Sequence, residues 1–102
     1  MDTVVEKVGD SALMRLSGRF DFNAHRNFRE AVDKALSLPE VTSIGVDLAE
    51  VTYLDSSALG MLLMLRDKGR AGNRAINLLR AGGSVKQVLE IANFAKLFNI
   101  VD

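Results

Sequence analysis

The chain has 102 residues, of which 48% are hydrophobic and 25% are charged, a composition typical of one soluble globular domain. It contains no cysteine and one histidine, which excludes disulfide scaffolds, cysteine-ligated metals and thiol nucleophiles and leaves little for histidine-based catalysis. Thirteen basic residues balance thirteen acidic ones, so neither a nucleic-acid binder nor a protein held by charge at a membrane surface is expected.

Apolar residues alternate along some segments and recur every three or four residues along others, which separates strands from helices. In chain order the pattern predicts strands over 3–8 and 12–17, a helix from Asp21 or Asn23 to Pro39, a strand over 41–48, a helix over 56–68, a strand over 75–79, and a helix that Ser84 opens through a capping box with Gln87. An apolar tail over 94–101 predicts a turn of helix and a last strand.

This order places an opening β-hairpin before strands that alternate with helices. Strands joined through helices pair in parallel by right-handed crossovers. The sequence therefore predicts a single α/β domain with a mixed, mostly parallel sheet flanked by helices. No leader and no apolar run long enough to span a bilayer is expected.

The most informative residues lie where the 41–48 strand passes into the following helix. Asp55 precedes two serines, Ser56 and Ser57, where one serine would suffice as a helix cap. The helix behind them is unusually apolar, more so than a single buried stripe of about 100° requires. Two interpretations stay open. The helix is buried on two sides, by the sheet and by neighbouring helices, or part of its surface around Met61, Met64 and Leu65 stays exposed as a docking patch.

Several segments together resemble the STAS domain family, the anti-sigma factor antagonists. Residues 55–60 are similar to the phosphorylation loop of that family. Residues 16–21, residues 46–48 and the apolar positions of 88–98 extend the resemblance over essentially the whole chain, residues 1–102. The loop motif alone is moderately specific, and the order of elements strengthens it.

The resemblance implies a partner switch in the cytoplasm. The acceptor is Ser56, which an anti-sigma factor that is itself a serine kinase phosphorylates. The unmodified antagonist binds that kinase and frees the sigma factor, and a PP2C-type phosphatase restores the phosphorylated form. Asp21, Asp55 and Ser57 are expected beside the phosphosite. The expected partner-binding residues are Ala58, Met61, Met64 and Leu65. Ala58 departs from the glycine more frequent in the family.

The resemblance implies no enzymatic activity, cofactor or metal, and other interpretations are weaker. Small STAS-like domains also resemble accessory subunits of ABC transporters, which are not switched. Asp21, Asp47 and Asp55 would form a magnesium or phospho-aspartate site if they converged, as in a receiver domain. Ser56 and His25 would suit a hydrolase, but the chain lacks a G-x-S-x-G motif. Residues 82–84 are more typical of a tight turn and cap than of an anion cradle.

Overall fold

Five strands form a single sheet in the computed structural model, which describes residues 1–101. The strands are β1 (Asp2–Val8), β2 (Ser11–Phe20), β3 (Ser43–Leu54), β4 (Ala75–Leu79) and β5 (Asn99–Val101). The helices are α1 (His25–Ser37), α2 (Ser56–Ala71) and α3 (Gly83–Ile91), with 3-10 turns at Phe22–Ala24 and Phe94–Lys96. No helix within residues 1–101 is both long and apolar enough to cross a membrane.

Neighbours in the sheet are also neighbours in sequence, in the order β1-β2-β3-β4-β5. The β1–β2 pair is the predicted antiparallel hairpin, and the three other pairs are parallel. Each helix connects one parallel strand to the next, always in the same direction across the sheet. Because such crossovers are right-handed, all three helices cover the same face of the sheet. The predicted fold class is confirmed.

The core lies between that face and the helices. Met14, Val46 and Leu78 sit side by side on β2, β3 and β4, and each is fully buried. Their strand neighbours point the other way, since successive side chains of a strand alternate between faces. Leu13 and Leu79 are accordingly only half-buried and stand outside the core cluster. The apolar stripe of α1 closes the core, with the Phe28 ring 4.9 Å from that of Phe20.

Strand β3 runs six residues beyond the predicted end at residue 48. The extension continues to pair with the end of β2, from Ser17↔Glu50 to Phe20↔Leu54, past two register irregularities. The hydrophobic pattern does not predict this extension, because β4 does not pair with it and several of its residues are exposed. This extension carries the chain to the carboxyl edge of the sheet, where α2 begins after a single residue.

The two predicted helix caps have different outcomes. Asp21 does cap a helical segment, the 3-10 turn Phe22–Ala24, which runs directly into α1 at His25. The predicted cap of α3 is wrong. The α3 helix begins at Gly83 after Gly82, so Ser84 already lies within its first turn and no side chain caps it. Gly83 has a φ of +55°, a left-handed conformation that glycine adopts without strain. The turn is therefore made by the glycine pair and not by the predicted Ser84–Gln87 box.

Candidate functional site

Ser56 is the first residue of α2 and its side chain is exposed. The cap of this helix is Asp55, whose Oδ1 accepts a hydrogen bond of 3.1 Å from the backbone N–H of Ala58. Since the aspartate satisfies the free N–H group, the serine is not needed as a cap. The Ser56 hydroxyl makes no hydrogen bond within residues 1–101. It is therefore open to a modifying enzyme, whereas Ser57 is half-buried.

Asp21 and Asp55 follow the ends of two paired strands. Phe20 and Leu54 are register partners, and the backbone N–H of Asp55 donates to the carbonyl oxygen of Phe20 over 3.3 Å. Asp21 turns its Oδ1 toward the N–H of Asn23, 3.0 Å away. The topology thus places both carboxylates, predicted to flank the phosphosite, at the sheet edge where Ser56 begins its helix. Their role toward a phosphate stays a prediction.

Three further side chains lie at this edge without having been predicted to act there. The guanidinium carbon of Arg19 stands 4.1 Å from the centre of the Tyr53 ring, and its Nε lies 3.5 Å from Oδ2 of Asp21. Tyr53 is 40% exposed, and Phe22, directly after Asp21, is 73% exposed. Sequence analysis could have found these three residues only by their position, since each lies within three residues of Asp21 or Asp55. Together Arg19, Phe22 and Tyr53 form what we call the aromatic rim.

The predicted docking patch on α2 needs correction. Ala58 and Leu65 are fully buried and Met61 is 5% exposed, so none of these side chains is available to a partner in this conformation. The interpretation that α2 is buried on two sides is the correct one for them. Positions 58, 61, 62 and 65 face the core, and Arg66 on another face donates to the Leu97 carbonyl over 2.9 Å. Of the four predicted contacts only Met64 is half-exposed.

Asp47 does not join the other two aspartates. It is buried in β3, where its Oδ1 accepts hydrogen bonds from Arg80 Nε over 3.2 Å and from the backbone N–H of Ala49 over 3.0 Å. A second nitrogen of Arg80, Nη2, pairs with Oδ2. Within residues 1–101 no three histidine, aspartate or glutamate side chains gather as metal ligands. The structure thus gives the receiver-like interpretation no geometric support.

The ion pair keeps the Asp47 carboxylate charged inside the domain. Burial by itself raises the pKa of the Asp47 carboxyl, because a charge is poorly solvated there. The hydrogen bonds from Arg80 and Ala49, with the positive charges of Arg80 and Arg15, outweigh burial and leave the pKa below its ordinary value. Arg80 has a φ of +55° in the link between β4 and α3. The ion pair therefore holds the connection between β4 and α3 against β3, which is a structural role.

Comparisons with known proteins agree with this architecture. A family model described as "Mlab, STAS domain" matches residues 3–102. A STAS-domain-containing protein of Pseudomonas aeruginosa (strain UCBPP-PA14) is 45% identical over 92 residues, 90% of this chain and 89% of that protein.

Two solved structures extend the comparison. An anti-sigma factor antagonist from Mycobacterium paratuberculosis has a TM-score of 0.86 at 19% identity, with 98% of this chain and 84% of that chain covered. The phosphorylated form of SpoIIAA, a Bacillus cell fate determinant, has a TM-score of 0.73 at 20% identity, with 99% of this chain and 92% of that chain covered. At these identities the likeness to the solved structures shows a shared fold.

Proposed function

The chain belongs to the STAS domain family, and we propose that it is an anti-sigma factor antagonist, a binding module and not an enzyme, switched by phosphorylation of Ser56. The unphosphorylated form binds an anti-sigma factor that is a serine kinase and thereby releases the sigma factor. Phosphorylation ends that binding, and a PP2C-type phosphatase reverses it. The observation that carries the proposal is that the Ser56 hydroxyl is exposed and does not cap the helix, because Asp55 is the cap.

The fold is expected to tolerate the phosphate. Phosphorylation adds about −1.5 to −2 charges and three acceptor oxygens. The N-terminus of α2 offers free N–H groups and the positive end of a helix dipole, both of which favour a negative charge. The switch therefore changes the surface at the start of α2 while the core beneath it stays intact.

Partner release follows from the charge that accumulates at the sheet edge. A phosphate on Ser56 joins the carboxylates of Asp21 and Asp55, both placed at that edge by the β2–β3 register. Covering such a group without a cation opposite leaves a buried, unpaired charge, which costs about 2–5 kcal/mol at protein interfaces. Because each 1.4 kcal/mol is tenfold in affinity, we expect binding to weaken by roughly 30-fold or more.

The partner surface that fits the structure combines Ser56 with the aromatic rim and the half-exposed Met64. Aromatic and arginine side chains are frequent energetic centres of protein interfaces. Phe22 is the clearest candidate, because a highly exposed phenylalanine directly after Asp21 gains most from being covered. Ala58, Met61 and Leu65 then support the interface from within, by fixing the position of α2.

The alternative function, an unswitched accessory subunit of an ABC transporter, is favoured by the same apolar second helix. The core takes up the apolar side chains of Ala58, Met61, Leu62 and Leu65, which leaves only the partly buried Leu59, Leu63 and Met64 for such a contact. Recovery of a transporter ATPase as the principal partner from the native cell, together with Ser56 never phosphorylated, would favour this alternative.

A phosphomimetic pair tests the proposal directly. Binding of the cognate anti-sigma factor kinase is measured by calorimetry for the native protein, Ser56→Ala and Ser56→Glu, and peptide mapping locates phosphate after incubation with the kinase and ATP. We expect Ser56→Ala to bind like the native protein and Ser56→Glu to bind at least tenfold more weakly. Ser84→Glu is the matched control, since Ser84 is exposed in the first turn of α3. Equal affinity of both Ser56 variants, or phosphate on another residue, contradicts the proposal.

A further inference from the structure

Arg19 is held only loosely at the edge of the sheet. Its guanidinium rests on the Tyr53 ring at 4.1 Å and its Nε is 3.5 Å from Asp21, while 64% of its side chain is exposed. An exposed cation gains little from an ion pair or from a cation–π contact, because water competes for its charge. Both contacts can therefore be exchanged for a stronger one at little cost.

The guanidinium already points toward the end of the sheet where Ser56 lies. Arg19 pairs with Tyr53 across the β2–β3 ladder, and its side chain reaches forward to Asp21, the first residue after β2. Ser56 is the second residue after β3, on the strand paired with β2. Arg19 leaves the face of the sheet opposite to buried Phe20 and reaches forward through its contact with Asp21. Because adjacent strands are only about 4.8 Å apart, Arg19 and Ser56 both belong to the corner of the molecule where β2 and β3 end.

A phosphate at that corner changes the balance of charges around Arg19. Asp21 carries one negative charge, whereas a phosphoserine carries up to two and offers three oxygens, which guanidinium binds in a bidentate manner. We propose that Arg19 is the internal counter-ion of phosphorylated Ser56, and that it leaves Asp21 and the Tyr53 ring when the phosphate is added. This inference rests on the proposed function in taking Ser56 as the modified residue.

The exchange would neutralise part of the phosphate charge, so partner release would follow from the altered rim together with the negative charge that remains on the phosphate, Asp21 and Asp55. In the unmodified protein the aromatic rim presents Arg19 as a cation lying over Tyr53. In the phosphorylated protein that cation is taken up by the phosphate, and the face of the Tyr53 ring is uncovered. A partner that docks on the rim thus meets an altered surface, and a carboxylate of the partner loses its counterpart.

Phosphorus NMR on the intact chain tests the pairing without any partner protein. Phosphoserine is installed at position 56 during translation, and the second pKa of the phosphate, ordinarily about 6, is measured by titration. A nearby cation favours the dianion, so we expect that pKa to rise by about 1, the lower end of the shift that an opposite charge within about 4–6 Å causes, when Arg19→Gln removes the cation. Arg15→Gln is the matched control, because Arg15 lies on the same strand but pairs with Glu6 at 3.0 Å.

Tyrosine fluorescence gives an independent readout, because Tyr53 is the only tyrosine and the chain has no tryptophan. Phosphorylation should change its emission in the native protein and have little effect in Arg19→Gln. Equal phosphate pKa values in the native protein and Arg19→Gln, or an equal rise in Arg15→Gln, overturn the inference. Since the phosphoserine is installed without a kinase, such a result leaves the proposed function standing. Absence of phosphate on Ser56 after treatment with the kinase refutes the proposed function instead.

Discussion

Removing the cap of α2 separates the roles of two adjacent residues, Asp55 as the helix cap and Ser56 as the proposed phosphosite. Asp55→Ala abolishes the 3.1 Å bond to the N–H of Ala58 and leaves that group without its partner. Loss of an N-cap costs about 1 kcal/mol, within a range of about 0.5–2. Loss of a negative charge at the helix N-terminus adds about 0.3–1 kcal/mol. We therefore expect Asp55→Ala to lower the free energy of unfolding by about 1–2 kcal/mol.

The melting temperature should fall by roughly 4–8 °C, since about 1 kcal/mol corresponds to about 4 °C in a domain of this length. Urea and thermal unfolding followed by circular dichroism measure the change. Asp55→Asn is the diagnostic companion, because asparagine caps helices about as well as aspartate and removes only the charge. It should lose less than half as much stability.

If Asp55→Ala were as stable as the native protein, the assignment of Asp55 as the cap would be wrong. If Asp55→Asn lost as much stability as Asp55→Ala, the carboxylate would act through its charge and not through the bond to the backbone. Either result would remove the reason why the neighbouring Ser56 hydroxyl is free. The proposed phosphosite would then lose its structural support.

Three further predictions concern the core, the helix and the rim. Folding lowers the pKa of the Asp47 carboxyl below its ordinary value of about 3.9, so its ion pair stabilises the fold at pH values above about 3.9. This stability is lost as the pH falls through the lower pKa of the folded state. Asp47→Asn should therefore flatten the dependence of the urea midpoint on pH below about pH 5. Gly60→Ala should stabilise α2 by about 0.5–1 kcal/mol because an added Cβ has open space there. Gly69→Ala should destabilise the protein because its Cβ would come 2.6 Å from Cδ1 of Ile76. Chemical denaturation should therefore show changes of opposite sign in the free energy of unfolding of the two variants. Phe22→Ala should leave the melting temperature within about 2 °C of the native value, since the ring is exposed, yet weaken kinase binding at least tenfold in calorimetry.

Most elements could be predicted from local patterns. The strand at 75–79 coincides with β4, and the two main helices begin or end within a few residues of their predicted bounds. Periodicity succeeds there because each element has one buried face. It fails at the end of β3, where burial depends on pairing with β2 alone and the residues alternate irregularly.

The site was predictable in part for the same reason. Asp55 and Ser56 are adjacent in the chain, so their relation to the start of α2 is local. Arg19 and Tyr53 are 34 positions apart in the chain, and their contact depends on the register of β2 against β3, which no short-range pattern encodes. Burial of Met61 and Leu65 likewise depends on the sheet and helices that enclose α2, and an apolar helix by itself does not show which side is covered.

The sequence by itself determined the order of elements, the hairpin start and the position of a serine at a helix N-terminus, because these follow from turn residues, periodicity and neighbouring side chains. Only the tertiary structure decided which hydroxyl is free, which apolar side chains are buried, and which cation contacts Asp21 and Tyr53 at the end of the β2–β3 pair. Those properties arise where segments distant in the chain come into contact, and pairing register and packing fix them there.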